Sequence, residues 1–476
     1  MKKRNASKLN QHKYDKKGVL HPPMNTLSNL QKVSWSNDRL PEYLWLGLIL
    51  MCFPRTQGIE VVAGILKSIS SKNLNLSTIK ISEIINLPQN DQKTIYEIVI
   101  QKVNPKIMTP LTAILSQSEY PIFYDYFYCH ELSMCQKIDI LKQAVETYYD
   151  SQSNQGTDLR FCVLLFNVFS KRIQVNPNLD LPQLVSEYPY IPHDDQKMRT
   201  YRPKIRVCEM MDFSIRNEDF LYFFWREMAL KIDCDLKLLS HVMENNMQYR
   251  EYISNIQSEI KQIIAKTKDR VDDKKLKVLL GSFVYVLKIF NDIIEKDLGN
   301  SILGRLAFRT ILETYINIKY LIHTESEKEN IWEEYELYGL GKLKRPLLIS
   351  RENEKKELTH FVDEVIDVLV NEIVWEEYLD INVRYFDKTQ IKEKFAKDGQ
   401  MGLYDIFYEY NNSYVHGFWG AVRESAMLFC DNPAHKFHSV PDCDFEQNLS
   451  SVSSDIQKIV DKFYQIVREY VECKNK

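Results

Sequence analysis

Glycine is scarce in this chain, which has only 14 glycines among its 476 residues. That is about half of the usual share, since glycine supplies ~7% of an average protein. Tight turns and glycine-rich phosphate loops depend on glycine, so the shortage argues against sandwiches, barrels and glycine-looped nucleotide folds. Apolar residues still make up 44% of the chain, which is enough for a large core. We therefore predict an all-α protein, with a C-terminal helical bundle and a second, mostly helical N-terminal domain.

Basic and acidic residues nearly balance, with 62 against 65 and a net charge of −3. This balance disfavours a protein that binds nucleic acid through an extended basic surface. The N-terminus differs, because its first 17 residues hold one acidic residue, Asp15, against Lys2, Lys3, Arg4, Lys8, Lys13, Lys16 and Lys17. We predict a disordered basic arm over residues 1–24, and an arm that contacts phosphate is the alternative.

The cysteines and the apolar runs bear on localisation. The nine cysteines include no CxxC pair, a pattern typical of a reduced, cytoplasmic protein. The most apolar run, residues 44–53, is too short for a membrane span, which needs ~20 residues. No apolar segment of the kind found in secretion signals follows the basic start. We expect a cytoplasmic protein without a membrane partner.

Prolines mark the expected domain boundary. Five of the 16 prolines fall between residues 175 and 215, at Pro177, Pro182, Pro189, Pro192 and Pro203. We predict an N-terminal domain over 25–230 with this strap near its end, or a long ordered loop packed on one domain. Residues 231–476 should form the C-terminal bundle, with helices predicted over 236–268, 274–296, 301–323, 327–339, 355–378, 388–397, 402–430 and 450–471.

A polar stripe runs along the helix predicted from Ser301. Arg305, Arg309 and Glu313 follow one another at four-residue intervals, which places them on one helix face. A solvated surface ion pair is one interpretation. The other follows from the apolar residues around the stripe, because an arginine on a largely buried helix needs an acidic partner or an anionic ligand.

A second polar group lies in an aromatic stretch near residue 410. Asn412, Ser413 and His416 share a helix face, and Asn411 precedes them. A histidine can give or take a proton near neutral pH, so His416 is a candidate general acid or base acting on a ribose or phosphate. A structural histidine that holds helices together by hydrogen bonds is the alternative.

Cysteines and histidines also recur just after this motif. Cys430, His435, His438 and Cys443 have the spacing C-x4-H-x2-H-x4-C, and zinc takes such ligands. No CxxC pair is present, and Cys430 is predicted to end a helix. We therefore favour a loop packed across the bundle, with no metal and no cofactor.

These motifs, taken as a set, resemble a bacterial family known mainly as a domain of unknown function. The resemblance rests on Arg309-x3-Glu313, on the segment from Trp332 to Gly339 with its two tyrosines, and on Ser413-x2-His416-Gly417. It covers about residues 270–435. The longer members resemble this chain also at its Leu-Pro-Glu-x-Leu-Trp sequence, residues 40–45.

The order of residues around His416 is distantly similar to the motif of the HEPN ribonucleases. That resemblance implies a homodimer that cleaves RNA without metal, in bacterial defence, including defence against phage, or as part of a toxin–antitoxin pair. Asn411 stands where those enzymes carry arginine, so Arg305 or Arg309 would have to supply the charge that stabilises the transition state. The candidate catalytic residues are His416, Arg309, Glu313, Asn412, Asn411 and Ser413, with Arg305 as a ligand-binding residue.

Two other functions stay open at this point. One is a helical binding or sensor module without catalysis, which recognises an anionic ligand or mediates dimerisation. The other is an unrelated enzyme that uses the same arginine, glutamate and histidine. Convergence of Arg309, Glu313 and His416 in one accessible cleft would favour an enzyme.

Overall fold

The computed structural model describes residues 8–23, 33–72, 74–173, 181–210, 216–238, 247–352, 360–436 and 438–473. Within these residues 66% of the chain is helix and 3% is strand. The prediction of an all-α fold is confirmed. None of the described helices combines the length and the apolar character that crossing a membrane requires.

The chain divides into two compact units, the first made of residues 1–237 and 429–439. Its helices are α1 Leu40–Met51, α2 Arg55–Ser70, α3 Ile81–Ile84, α4 Gln89–Ile100, α5 Pro121–Phe127, α6 Met134–Tyr148, α7 Asn154–Phe169, α8 Leu181–Glu187, α9 Met198–Met210 and α10 Glu218–Lys231. Short 3-10 helices lie at Leu9–Gln11, Pro105–Ile107 and Thr109–Ala113, and a π-helix, Trp35–Arg39, leads into α1.

Helix α1 is the centre of the first unit. Every residue from Leu40 to Leu50 is buried, as expected for a helix that is apolar on all sides. Pro41 lies in its first turn, where a missing N–H leaves no hydrogen bond unmade. The indole of Trp45 donates to the carbonyl of Ile79 at 3.1 Å. This apolar run is therefore a core helix, as its length predicts.

A buried ion cluster joins α7 and α9 to the start of α1. Glu209 is fully buried and pairs with both Arg39 and Arg160. The Nε atom of Arg160 donates to Oε2 of Glu209 at 2.8 Å. One buried carboxylate thus serves two buried guanidinium groups, and each charge depends on the others for its stability.

The structure describes part of the basic N-terminal segment. A short hairpin of β1 Lys13–Tyr14 and β2 Leu20–His21 occupies residues predicted as a disordered arm. The Asp15 carboxylate closes its turn by accepting from the backbone N–H of Lys17 and of Val19. The rest of that arm, residues 1–7 and residue 24, lies outside the described residues.

The proline-rich segment contains two helices, α8 and α9, and much of it is ordered. Leu184, Met198 and Ile205 belong to the buried core of the first unit. Pro203 lies inside α9. The described part of this segment therefore packs on the core of the first unit.

The second unit comprises residues 238–428 and 440–476. Its helices are α11 Met247–Lys266, α12 Lys274–Glu295, α13 Ile302–Thr324, α14 Ile331–Glu352, α15 Asp363–Val370, α16 Ile391–Lys397, α17 Glu409–Val415, α18 Trp419–Ser425 and α19 Ser453–Cys473. Glu376–Tyr378 and Phe386–Lys388 are short 3-10 helices, and Leu403–Tyr408 is a π-helix that runs directly into α17.

Helices α12, α13 and α19 form the core of the second unit. Phe283 and Phe290 of α12, Leu312 and Ile316 of α13 and Phe463 of α19 are buried in one cluster. Ser301 caps α13, because its hydroxyl accepts from the N–H of Gly304 at 3.2 Å. The apolar periodicity that predicts α12 and α13 is therefore the periodicity of their buried faces.

The helix predicted over residues 402–430 is wrong. Helix α17 ends at Val415 because Gly417 takes a left-handed conformation, with φ at +59°. The N–H of Phe418 then bonds the carbonyl of Ser413 at 2.9 Å, and the N–H of Gly417 bonds that of Tyr414 at 3.2 Å. Both bonds define a Schellman C-cap. Helix α18 follows, and Cys430 ends a strand instead of a helix.

Three short strands lie where the chain returns to the first unit. They are β3 Leu236–Lys237, β4 Met427–Cys430 and β5 Ser439–Pro441, in the order β3-β4-β5. Leu236 pairs with Cys430, and Lys237 with Phe429, in antiparallel register. Residues 429–439 therefore belong to the first unit, whereas the prediction has them inside a continuous C-terminal bundle.

Candidate functional site

Arg309 of α13 is the centre of a hydrogen-bonded group in the second unit. Its Nε donates to Oδ1 of Asn412 at 3.1 Å, and its Nη1 donates to Oε2 of Glu313 at 3.2 Å. Its Nη2 donates to the hydroxyl of Tyr408 at 2.7 Å. That hydroxyl donates in turn to Oε1 of Glu313 at 2.7 Å. Every nitrogen of the guanidinium thus has an acceptor, and the group is fixed.

Two neighbouring elements build this arrangement. The four-residue spacing of Arg309 and Glu313 puts them on one face of α13. The π-helix before α17 and α17 itself carry Tyr408 and Asn412, also four residues apart, toward that face. Burial raises the pKa of Tyr408, and its hydrogen bond to Glu313 raises it further. The phenol therefore stays protonated and acts as a donor.

Lys394 of α16 is a buried cation beside this group. Only 4% of the residue is exposed, and its Nζ donates to Oδ1 of Asn317 at 2.8 Å. The ammonium lies 5.1 Å from the centroid of the Tyr320 ring and 5.4 Å from that of Phe386. Burial lowers the pKa of Lys394 to about 8, against the opposing effect of Asp387 and Glu313. Lys394 forms no ion pair with any residue that the structure describes.

A cavity of about 670 Å³ opens above these side chains. Arg309, Glu313, Asn317 and Lys394 contribute its polar lining. Its aromatic lining is Tyr335, Tyr338, Tyr385, Phe386 and Tyr408. The size and the few convergent polar groups are those of a small-molecule pocket.

The remaining charges of the cavity lining are paired with one another. Lys277 lies at 3.0 Å from a carboxylate oxygen of Glu336 and at 3.4 Å from one of Glu372. The side chain of Lys277 is about half exposed, so its ammonium lies at the rim of the cavity. The cavity is lined by three cations, Lys277, Arg309 and Lys394. Lys277 and Arg309 have carboxylate partners, and Lys394 has none among the described residues.

Arg305, the predicted ligand-binding residue, belongs to a separate group. It is buried and donates from Nη2 to the carbonyl of Ser450. Its guanidinium lies 5.7 Å and 5.9 Å from the ring centroids of Tyr410 and Tyr414. The hydroxyls of both tyrosines donate to Glu424. Arg305 does not line the cavity.

Asn412 contacts Arg309, whereas His416, Ser413 and Asn411 of the same motif do not converge on it. His416 is exposed, and its ring stacks on Phe418 with centroids 5.5 Å apart. Its side chain has no hydrogen bond to any described residue. The hydroxyl of Ser413 donates to the carbonyl of Glu409 at 3.4 Å. Asn411 is 2% exposed and donates to the carbonyl of Phe407 at 2.6 Å.

Of the predicted site residues, the structure thus brings together Arg309, Glu313 and Asn412. Sequence reasoning missed Lys394, Asn317 and the role of Tyr408. The signal available for Tyr408 was its four-residue spacing from Asn412. Lys394 lies on a short, charge-rich helix, where a lysine is usually exposed, so its burial has no sequence signal.

The cysteine and histidine group is assembled differently from its sequence order. Cys430, His435 and His438 come together with Cys234, which lies about 200 residues earlier in the chain. Cys443 is exposed and outside this group.

Comparison with known proteins places the cavity inside a defined domain. All of the residues that line the cavity fall between Lys277 and Tyr408, and most of them belong to α12, α13, α14 and α16. Residues 276–435 match a family of unknown function, DUF5677, so the resemblance to a domain of unknown function over about residues 270–435 is confirmed. No curated protein and no solved structure matches the chain significantly.

Proposed function

We propose that the second unit is a binding or sensor module whose cavity takes a small molecule with a planar ring and one anionic group. One observation carries this proposal. Lys394 is a buried ammonium group that lines the cavity and has no carboxylate partner among the described residues. A buried charge of this kind is costly unless it is paired, and an anionic ligand would supply the pair.

The other charges of the lining explain why a single anionic group fits. Arg309 is held by Glu313, Asn412 and Tyr408, and Lys277 is held by Glu336 and Glu372. A polyanion would have to break these pairs. A ligand with one phosphate or carboxylate needs only Lys394 and the amide of Asn317, whose Nδ2 can donate while its Oδ1 accepts from Lys394.

The aromatic side chains support the planar ring. Tyr335 and Tyr338 meet Phe386 edge-on, with centroids 5.2 Å and 5.3 Å apart. Their packing fixes one wall of the cavity. Rigid aromatic walls favour flat ligands, because stacking and edge contacts both need a planar partner. The charges of Arg309 and Glu313 cancel, and every nitrogen of the guanidinium has a hydrogen-bond acceptor. These two side chains therefore form a rigid polar part of the lining.

Calorimetric titration with a matched pair of probes tests the proposal. Adenosine 5′-monophosphate carries the anionic group, and adenosine lacks it. We expect the monophosphate to bind and adenosine to bind at least tenfold more weakly, because a charge-assisted hydrogen bond contributes about 1.5–3 kcal/mol. A carboxylate probe, indole-3-acetate, extends the test to a second ring and a second anion.

The variant Lys394→Met keeps the length of the side chain and removes its charge. It should lose the preference for the monophosphate over adenosine, whereas Lys392→Met, at an exposed position of the same helix, should keep it. Binding of none of these probes, or equal binding to wild type and Lys394→Met, would contradict the proposal.

The second candidate is the HEPN-like RNA-cleaving effector, and one observation favours it. The ring of His416 is exposed and free of hydrogen bonds to the described residues, as a proton-transfer group must be to reach RNA. Phe418 and Trp419 beside it are exposed as well, and exposed aromatic rings can stack on bases. Arg309 is committed to its own group, so a second copy of the chain would have to supply the stabilising charge.

A further inference from the structure

Four metal-ligating side chains converge in the first unit. Cys234 follows α10, and Cys430, His435 and His438 lie in the returning segment 429–439. One ligand atom from each lies within 4.8 Å of all the others. The Sγ atom of Cys234 is 3.5 Å from Nδ1 of His435 and 3.3 Å from Nε2 of His438. The Sγ atom of Cys430 is also 3.5 Å from Nδ1 of His435.

These distances are those of a tetrahedral metal site. Zinc binds cysteine sulfur at about 2.3 Å and histidine nitrogen at about 2.0–2.1 Å, with tetrahedral angles. Such geometry places a sulfur and a nitrogen ligand about 3.6 Å apart. The three sulfur–nitrogen distances in the cluster, 3.3–3.5 Å, fall just short of that value. These three distances match a zinc ion bound between the sulfur and nitrogen atoms, and the remaining pairs of ligand atoms lie within 4.8 Å.

The histidines are held in the tautomers that a metal requires. The outer nitrogen of His435, Nε2, donates to the carbonyl of Ile232 at 2.9 Å. The outer nitrogen of His438, Nδ1, donates to the carbonyl of Lys436 at 2.8 Å. A carbonyl can only accept, so each outer nitrogen carries the proton and each inner nitrogen presents a lone pair to the cysteines. Metal-bound histidines show this arrangement almost always.

The backbone around the cluster is built from two distant segments. The N–H of Asp431 bonds the carbonyl of Asp235 at 2.8 Å, and Nδ2 of Asn432 bonds the carbonyl of Asp233 at 3.1 Å. Together with the β3–β4 pairing, these bonds bring Cys234 and Cys430 to neighbouring positions. Ala434, between the ligands, is fully buried in the core of the first unit. The ligand positions are thus set by the fold and do not depend on surface side chains alone.

We propose that Cys234, Cys430, His435 and His438 bind one zinc ion as a structural site. Two thiolates and two imidazoles suit zinc by ligand type. Four protein ligands leave no open position for substrate or water, which is the mark of a structural centre. The ion joins segments about 200 residues apart, and a crosslink across so long a loop removes much of the entropy of the unfolded chain. Its role is to fasten residues 429–439 to the first unit.

The proposal differs from the zinc motif that the sequence suggests. That motif uses Cys443, whereas the structure replaces Cys443 with Cys234. Both Cys234 and Cys430 are free cysteines, so two thiols are available that can bind the metal as thiolates. A disulfide between Cys234 and Cys430 would use the same two sulfur atoms and exclude the zinc ion. Mass spectrometry detects such a disulfide, because forming it removes two hydrogen atoms from the chain.

Metal content of the purified full chain tests the proposal. Inductively coupled plasma mass spectrometry should find about one zinc per chain in the wild type. His438→Ala and Cys430→Ser should lose most of it. Cys443→Ser is the matched control, because it removes a nearby exposed cysteine outside the cluster, and it should keep the full content.

Cobalt substitution gives a second readout that does not depend on any variant. The Co²⁺-loaded wild type should show the visible absorption of a tetrahedral site and the near-ultraviolet charge-transfer band of two thiolates. Wild-type protein that holds no zinc after incubation with zinc sulfate and desalting would overturn the proposal. So would a Cys234–Cys430 disulfide in the native protein, or equal zinc in His438→Ala and Cys443→Ser.

Discussion

The Nε atom of Arg309 and the Oδ1 atom of Asn412 lie 3.1 Å apart and join α13 to α17. This hydrogen bond connects the two polar motifs that stand out in the sequence, the Arg309–Glu313 stripe and the segment around His416. The connection ends at Asn412, because His416 lies beyond the end of α17 on an exposed turn. Arg309 and Glu313 therefore line the cavity, whereas His416 lies on the surface.

A double-mutant cycle should reproduce this division. Arg309→Ala and Asn412→Ala remove the two partners of one hydrogen bond, so their effects on stability should be non-additive by about 0.5–3 kcal/mol. Arg309→Ala and His416→Ala share no contact, and their effects should add within about 0.5 kcal/mol. Urea denaturation of the wild type, the three single variants and the two double variants measures both coupling energies. Strong coupling of Arg309 with His416 would show that the two motifs form one site.

The pH dependence of ligand binding follows from Lys394. Burial lowers the pKa of this ammonium to about 8, so it loses its charge as the pH rises through that value. Affinity for adenosine 5′-monophosphate should be about tenfold lower at pH 9 than at pH 7, since only the protonated lysine attracts the anion. Adenosine should show no such change. A monophosphate affinity that is constant from pH 7 to 9 would argue against Lys394 as the anion-binding group.

Glu42 should make the stability of the first unit depend on pH. Burial raises the pKa of Glu42 from 4.5 to about 7, and its hydrogen bonds from Ser82 only partly oppose this. Between these values the folded protein keeps a proton that the unfolded chain has lost. Stability is therefore highest below pH 4.5 for this group and falls by roughly 3 kcal/mol as the pH rises through 7.

The variant Glu42→Gln removes that titration. Its unfolding free energy should vary less between pH 5 and 8 than that of the wild type, as measured by urea denaturation in parallel buffers. Glu119→Gln, at an exposed position, is the matched control and should keep the wild-type slope. An equal dependence of the unfolding free energy on pH in Glu42→Gln and in the wild type would contradict a raised pKa of Glu42.

The buried Glu209 cluster should dominate the stability of the first unit. Removing the carboxylate takes away the negative charge that faces the buried Arg39 and Arg160, so Glu209→Ala should cost about 3–5 kcal/mol. The exposed pair of Lys106 and Glu131 offers the comparison, since both of its side chains are at least half exposed. Glu131→Ala should cost less than about 1 kcal/mol. Equal effects of the two substitutions would show that the buried cluster is compensated elsewhere.

The sequence predicts helices α12 and α13 well because their signals are local, whereas α14 extends 13 residues beyond its predicted end at residue 339. Helix α12 is predicted over 274–296 and found at Lys274–Glu295, and α13 is predicted over 301–323 and found at Ile302–Thr324. The break after Val415 is missed, because a single glycine in a run of aromatic residues can equally lie inside a helix. Strand β4 is missed as well, since its pairing partner, β3, lies about 190 residues away. Local periodicity cannot report such a contact.

The candidate site is predictable only where it depends on one helix. The pairing of Arg309 with Glu313 follows from their spacing, whereas the burial of Lys394 and its bond to Asn317 follow from the packing of α16 on α13. Similarly, the spacing of Cys430, His435 and His438 suggests a metal, but the fourth member of the cluster comes from another segment. In both cases the tertiary contacts determine which residues join the site. Arg305 and Cys443 are of suitable type and close in sequence, but Arg305 does not line the cavity and Cys443 is not part of the metal-ligating cluster.

Substitution of Asn411 distinguishes the binding module from the RNA-cleaving effector. Asn411 is buried, its Nδ2 bonds the Phe407 carbonyl, and its Oδ1 has no hydrogen-bond partner among the described residues. An arginine there would bury a guanidinium group without a carboxylate, so Asn411→Arg should destabilise the second unit and produce no ribonuclease activity. His416→Ala, at an exposed position, should leave the fold intact.

Incubation of wild type and both variants with total RNA in the presence of EDTA measures the activity. We expect none of the three proteins to cleave RNA, because His416 and Arg309 do not converge and Asn411 faces the interior. Wild-type cleavage that leaves 2′,3′-cyclic phosphate ends and disappears in His416→Ala would overturn this expectation. That result would assign the exposed histidine a catalytic role and establish the RNA-cleaving effector in place of the binding module.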